Sequence, residues 1–220
     1  METLIISCKT LENELSSAMA KCECTYPIKW VESGLHNVPK NLTKVLQALL
    51  NESDDYDRIL LAMGYCGNSL GGLELGAATM IVPRVDDCIT LMLGSFARRS
   101  ELGAHGIYFM TEGWLRGERT IWHEYQYTVE KFGQETTDEL FKMILANYNT
   151  LAMLDTGCFD IATIEQEVRD IAKTLKLDYD VIPATIDYIE LLLTGPWDEK
   201  HFLTFPAHST ISAAELTLDT

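Results

Sequence analysis

The chain has 220 residues, 47% of them apolar, and 33 acids against 17 bases give a net charge of −16. That length fits one large domain or two small lobes. The charge, with no Lys/Arg cluster to interrupt it, excludes nucleic acid and anionic membrane surfaces as partners.

The opening METLIISCKTLENEL has no basic leader and only a short apolar run, so a cytoplasmic protein is expected. Ile6-Ser7-Cys8 resembles the end of a lipoprotein cleavage site, but the long apolar stretch such a site needs is missing. No segment approaches the ~18 apolar residues of a membrane helix. Six cysteines without an export signal are expected to be thiols or ligands rather than a disulfide framework.

In chain order, Leu4–Ser7 reads as a short strand that ends at Cys8. Lys9–Lys21 follows as a helix, with Leu11, Leu15 and Met19 at helical spacing. Ile28–Glu32 is a second strand. A loop holding His36 then leads into a helix from Pro39 to Asn51, whose proline suits the first turn. Two apolar runs, Arg58–Met63 and Ala77–Val82, read as buried parallel strands. A helix follows the second from Asp87. Ile107–Met110 is a fifth strand, helices fill Thr120–Tyr148 with a break at Gly133, and Leu151–Leu154 is a sixth strand. Helix Ile161–Leu175, strand Asp180–Ile182, helix Ile186–Leu193 and strand Phe202–Phe205 complete the series. The alternation predicts an α/β fold of the αβα layered, Rossmann-like kind, with a mostly parallel sheet. The strands beginning near Leu4, Arg58, Ala77, Ile107 and Leu151 are expected to run parallel. Residues 1–206 are expected to form the domain, with a lobe boundary near 105 and a crevice between the lobes. Residues 207–220 read as a polar tail.

In open α/β sheets ligands bind beyond the carboxyl ends of the strands. Cys8, Cys66 and Cys88 each close a strand, and His36 follows another. Three thiols and an imidazole are a donor set for zinc or, less completely, an iron–sulfur cluster. No Cys-x-x-Cys pair is present, so the fold has to assemble the set; each cysteine read singly is better explained by core filling. Cys66 has the strongest local case, because free N–H groups of a helix or tight turn at Gly67 and Asn68 would lower its pKa and cradle a small anionic ligand. Asp86 and Asp87 read as helix caps, with Asp87 also a candidate general base. Asp155 is a second candidate base, or else a turn residue bonding its own backbone. Trp114 reads as a wall of the pocket or, more commonly for an aromatic after a strand, as packing. Cys22 and Cys24 look peripheral, and Cys158 is an outlying thiolate candidate.

The blocks Leu35-His36-Asn37-Val38-Pro39, Gly64-Tyr65-Cys66-Gly67-Asn68, Ile81-Val82-Pro83-Arg84-Val85-Asp86-Asp87-Cys88-Ile89, Leu93-Gly94-Ser95, Tyr108-Phe109-Met110-Thr111-Glu112-Gly113-Trp114 and Asp155-Thr156-Gly157 together carry a likeness. The chain resembles an uncharacterised domain-of-unknown-function family of anaerobic bacteria and methanogenic archaea, over nearly its whole length from Cys8 to about Phe205. Members often accompany corrinoid-dependent methyltransferases, so the resemblance implies corrinoid or one-carbon metabolism. It also implies a corrinoid protein or methyltransferase as partner. It carries no established activity.

Three functions are therefore weighed. The first is a metal site of Cys8, Cys66, Cys88 and His36. The second is a cofactor-independent racemase or isomerase, suggested by the likeness of Met63–Ser69 to the aspartate/glutamate racemase turn, with Cys66 opposed by a second thiol. The matching Cys-Thr-His turn in the second half is missing. The third is a non-catalytic corrinoid or methyltransferase accessory. The apolar helix faces leave room for a homodimer without requiring one.

Overall fold

The computed structural model describes residues 1–216. Strands β1 (Thr3–Cys8), β2 (Ile28–Val31), β3 (Arg58–Ala62) and β4 (Thr79–Pro83) run parallel in the order β2-β1-β3-β4. Strand β8 (Phe202–Phe205) closes the β4 edge antiparallel, with Met80 opposite Phe205 and Pro83 opposite Phe202. A second, three-stranded parallel sheet takes β5 (Ile107–Met110), β6 (Thr150–Asp155) and β7 (Asp178–Pro183) in that order.

The five strands expected to be parallel are thus divided, three in the first sheet and two in the second, with every pair that shares a sheet parallel. β4 cannot accept β5 as its next neighbour because the chain returns from the far end as β8 and occupies that edge. Helical connections follow the strands: α1 (Glu12–Lys21), α2 (Pro39–Asn51), α3 (Cys88–Leu93), α4 (Phe96–Gly103), α5 (Glu112–Leu115), α6 (Ile121–Phe132), α7 (Gln134–Ile144), α8 (Glu165–Leu175) and α9 (Asp187–Thr194). Gly133, at φ +81, separates α6 from α7 at the expected break. No helix of the described residues is long and apolar enough to cross a membrane.

Side chains alternate across each strand, and this places the apolar groups in three layers. Leu4, Ile6, Ile59 and Leu61 face α2, where Leu42, Leu46 and Leu50 form the complementary stripe. Ile5 and Leu60 point the other way and meet Phe109, Ala152 and Ile182 of the second sheet around the fully buried Ile189 and Leu192. The outer face of the second sheet, through Leu151 and Met153, packs on Phe141, Val168 and Ile171. The middle layer belongs to both sheets, so they share one core.

The segment after Pro206 departs from the expected polar tail. As far as it is described it is docked. Ser209 and Ile211 exchange backbone hydrogen bonds with Gly72, Leu73 and Leu75 at 2.8–2.9 Å, and Ile211 and Leu216 are buried against the α2 layer. Two apolar anchors in a polar run make no periodic pattern, which is why the sequence reads as a tail. Residues 217–220 of that expectation lie outside the described residues.

Candidate functional site

The site is assembled where the loops after β3 and β4 meet. Tyr65 N–H donates to Val85 O at 3.0 Å and Cys66 N–H to Asp86 O at 2.8 Å, so the parallel pairing continues past the strands into the loops. Gly64 makes this approach feasible: a Cβ there would stand 2.5 Å from the Asp87 Cα, well inside carbon–carbon van der Waals contact. The chain then turns through three successive positive φ angles at Cys66 (45°), Gly67 (67°) and Asn68 (66°). For a residue with a Cβ that conformation costs about 1–2 kcal/mol, so Cys66 is held against its own preference. Of the two forms expected at Gly67 and Asn68, a helix start or a tight turn, the chain takes the tight turn, and its left-handed path includes Cys66.

On the neighbouring loop Asp87 caps α3, its side chain accepting the Thr90 N–H at 2.8 Å, while Asp86 accepts the Thr90 hydroxyl. The cap, worth about 1 kcal/mol, fixes Cys88 in the first turn of the helix. Cys8 ends β1, and Thr10 Oγ1 donates to its sulfur at 2.9 Å. The three thiols line one cavity of about 350 Å³ with His36, Trp114, Asp87 and Gly67. That places together seven of the residues singled out in the sequence.

Two candidates lie elsewhere. Asn68 turns its side chain under Gly71, where an added Cβ would lie 2.9 Å from Asn68 Oδ1. Asp155 accepts the Gly157 N–H at 3.0 Å in its own turn, at the end of the second sheet and away from the cavity. Cys158 stays in that turn, its thiol directed to Thr156 O. Cys22 and Cys24 sit beyond α1 against Leu193 and Thr194. All six cysteines are free thiols.

The segment after β5 supplies the remaining wall through close packing. A Cβ on Gly113 would meet Thr10 O at 2.2 Å, so α5 lies directly on the Cys8–Thr10 segment. Asn13 Nδ2 donates to Glu112 Oε2 at 2.7 Å, and Glu118 N–H to Ser33 Oγ at 3.1 Å. Trp114 stacks on Tyr108 with 6.0 Å between centroids and stands 5.9 Å from the His36 ring. Sequence reasoning missed Glu32, Met63 and Thr10 on the cavity wall. Their only signal was position beside strand ends already marked by a cysteine.

The electrostatics are one-sided. Glu32, Asp86 and Asp87 line the cavity, and among the described residues its wall carries no Lys or Arg. Arg99 reaches Asp87 Oδ2 at 3.7 Å. Burial pushes the Cys66 thiol up to about 12, with Cys8, Asp87 and Asp86 adding to the rise. Cys88 is raised well above the ordinary thiol value by burial, then by Asp87 and its fellow cysteines. Cys8 is raised by burial against the opposing effect of Thr10. The lowered Cys66 pKa expected from turn N–H groups is therefore corrected: desolvation and neighbouring acids outweigh them. Burial also raises Asp87, and it lowers His36, whose ring is left neutral at neutral pH. Among the described residues no three His, Cys, Asp or Glu side chains already stand in a metal-holding arrangement.

Comparison with known proteins adds a family and little else. No curated protein and no solved structure matches the chain. The family model described as "Protein of unknown function (DUF1638)" matches residues 30–193, which takes in His36, Cys66, Asp87, Cys88 and Trp114 but begins after Cys8. With well over half of its length matched, the chain belongs to that family.

Proposed function

We propose that the cavity takes up a soft, thiophilic metal cation through Cys8, Cys66 and Cys88, with neutral His36 as an available fourth donor. The observation that carries this reading is the convergence of three thiols from three parallel strand ends in a cavity lined by acids and, among the described residues, by no Lys or Arg. Such a wall attracts a cation and repels an anion. Thiols at these raised pKa values bind as thiolates only by giving up their protons to the incoming ion, so uptake is coupled to proton release. The metal-free side chains have to draw together as the ion enters.

The same charge pattern disfavours the racemase reading. An amino-acid substrate brings a carboxylate, and no Lys or Arg on the wall answers it. The expected small anionic ligand is disfavoured there for the same reason.

A volume of about 350 Å³ lies at the lower end for small-molecule sites. It suits an ion with a small organic group and is too small to enclose a corrinoid. The link to one-carbon metabolism rests on the family resemblance, and in this reading a corrinoid enters on a partner protein. Asp87 is the group placed to orient a donor or take its proton.

Elemental analysis and a UV–visible spectrum of anaerobically purified protein test the proposal. About one equivalent of zinc, or the visible bands of a cluster, is expected in the wild-type chain and is absent from Cys66→Ser. Full metal occupancy in Cys66→Ser, or no uptake by the wild type from added metal, overturns it.

A further inference from the structure

The loop after β4 borders two cavities of opposite character. Asp86, Asp87 and Cys88 face the acidic thiol cavity, while Arg84 and Val85, just before them, face a second cavity of about 420 Å³ completed by Ser95, Phe96, Tyr188, Lys200 and His201. In a chain with 33 acids and 17 bases, this second wall carries, among the described residues, three basic side chains and no Asp or Glu. His201 is already engaged by Asp198, with Nδ1 2.9 Å from Oδ1. Among the described residues Arg84 and Lys200 have no acidic partner. Arg84 Nε is buried without any hydrogen-bond acceptor.

A second unmet group lies nearby. The Tyr65 hydroxyl, on a residue only 5% exposed, is buried without a partner and feels the Arg84 charge. A buried polar group left unpaired is costly, so an arginine kept in this state points to an acceptor that arrives from outside. The first turn of α4 opens on the same cavity. Ser95, whose hydroxyl caps the Arg98 N–H at 3.2 Å, and Phe96 line it from that turn.

We propose that this cavity binds a small phosphate monoester. Two unpaired cations match a dianion, and the guanidinium fork of Arg84 matches adjacent phosphate oxygens. The volume exceeds that of the phosphate group, and Phe96, Tyr188 and His201 give flat walls for an organic body. The site is separate from the thiol cavity, and its test does not depend on metal.

Phenyl phosphate and inorganic phosphate are titrated into the full chain by calorimetry at about 0.15 M ionic strength, with benzoate as the monoanionic control. Saturable one-to-one binding of phenyl phosphate is expected. It should weaken roughly tenfold or more in Arg84→Gln and in Lys200→Ala. Lys200 is an exposed turn residue, so Lys200→Ala reads the site in a folded protein. Inorganic phosphate binding as tightly as phenyl phosphate overturns the ester assignment, and benzoate binding as tightly overturns the phosphate. No saturation at millimolar phenyl phosphate, or unchanged affinity in Lys200→Ala, overturns the site.

Discussion

Two strand-end loops look alike as sequence and differ in use. Gly64-Tyr65-Cys66-Gly67-Asn68 follows β3, and Asp155-Thr156-Gly157-Cys158 ends β6. Each offers polar groups, glycine and a thiol. The β3 loop lies between the ends of β1 and β4, and its thiol joins Cys8 and Cys88 in an acidic cavity. The β6 loop is occupied with its own structure: Asp155 closes the turn, and Thr156 Oγ1 donates to the fully buried Glu14 of α1 at 2.9 Å. Local composition is therefore a poor guide to a site. Strand order decides which loops can share one.

The strongest way to break the comparison is Gly64→Ala. Its Cβ would overlap the Asp87 backbone, so the two loops must separate. A loss of about 1–3 kcal/mol is expected from overpacking, read by thermal or chemical denaturation, together with loss of metal uptake. An unchanged melting temperature would contradict the close approach of the loops.

Cys66→Ser against Cys158→Ser sharpens the contrast at the level of single thiols. The first should lose most bound metal, with about 1 kcal/mol of stability from the buried hydroxyl. The second should keep both metal and stability, and a loss of metal there would bring the β6 loop back into the site.

Glu14, contacted by the β6 loop, gives a pH-dependent test. Burial raises its folded pKa above the ordinary 4.5, with Thr156 opposing the shift. Its ionised form therefore works against the fold. The stability it allows is fully present below pH 4.5 and is lost as pH rises through the raised value. Glu14→Gln should accordingly melt higher than wild type at neutral pH, the difference vanishing in acid. Equal melting at all pH values would mean that the carboxyl is solvated. The smallest effect belongs to Asp155→Ala, expected to stay within about 0.5–1 kcal/mol and to leave metal uptake intact.

Much of this was legible in the sequence because short apolar runs and strand-end cysteines are local signals. Arg58–Ala62 and Thr79–Pro83 announce themselves by hydrophobicity, and Asp87 by its position before a helix. Strand neighbours are not local. The return of Phe202–Phe205 to the β4 edge splits the strands into two sheets, and nothing near residue 83 or residue 107 encodes it. The left-handed path at Cys66 was hidden for the same kind of reason, since its hydrogen bond to Asp86 lies twenty residues away. Arg84 escaped notice because a lone arginine in a loop acquires meaning only when the cavity it lines is seen to have no Asp or Glu among the described residues of its wall.

The central claim is that Cys8, Cys66 and Cys88 act as one metal site, and a cobalt(II) titration under anaerobic conditions tests it most directly. The account predicts a thiolate-to-cobalt charge-transfer band that saturates near one equivalent, with protons released on uptake. The band should persist in Cys158→Ser and disappear in Cys66→Ser. No charge-transfer band in the wild type, or an undiminished one in Cys66→Ser, would contradict it.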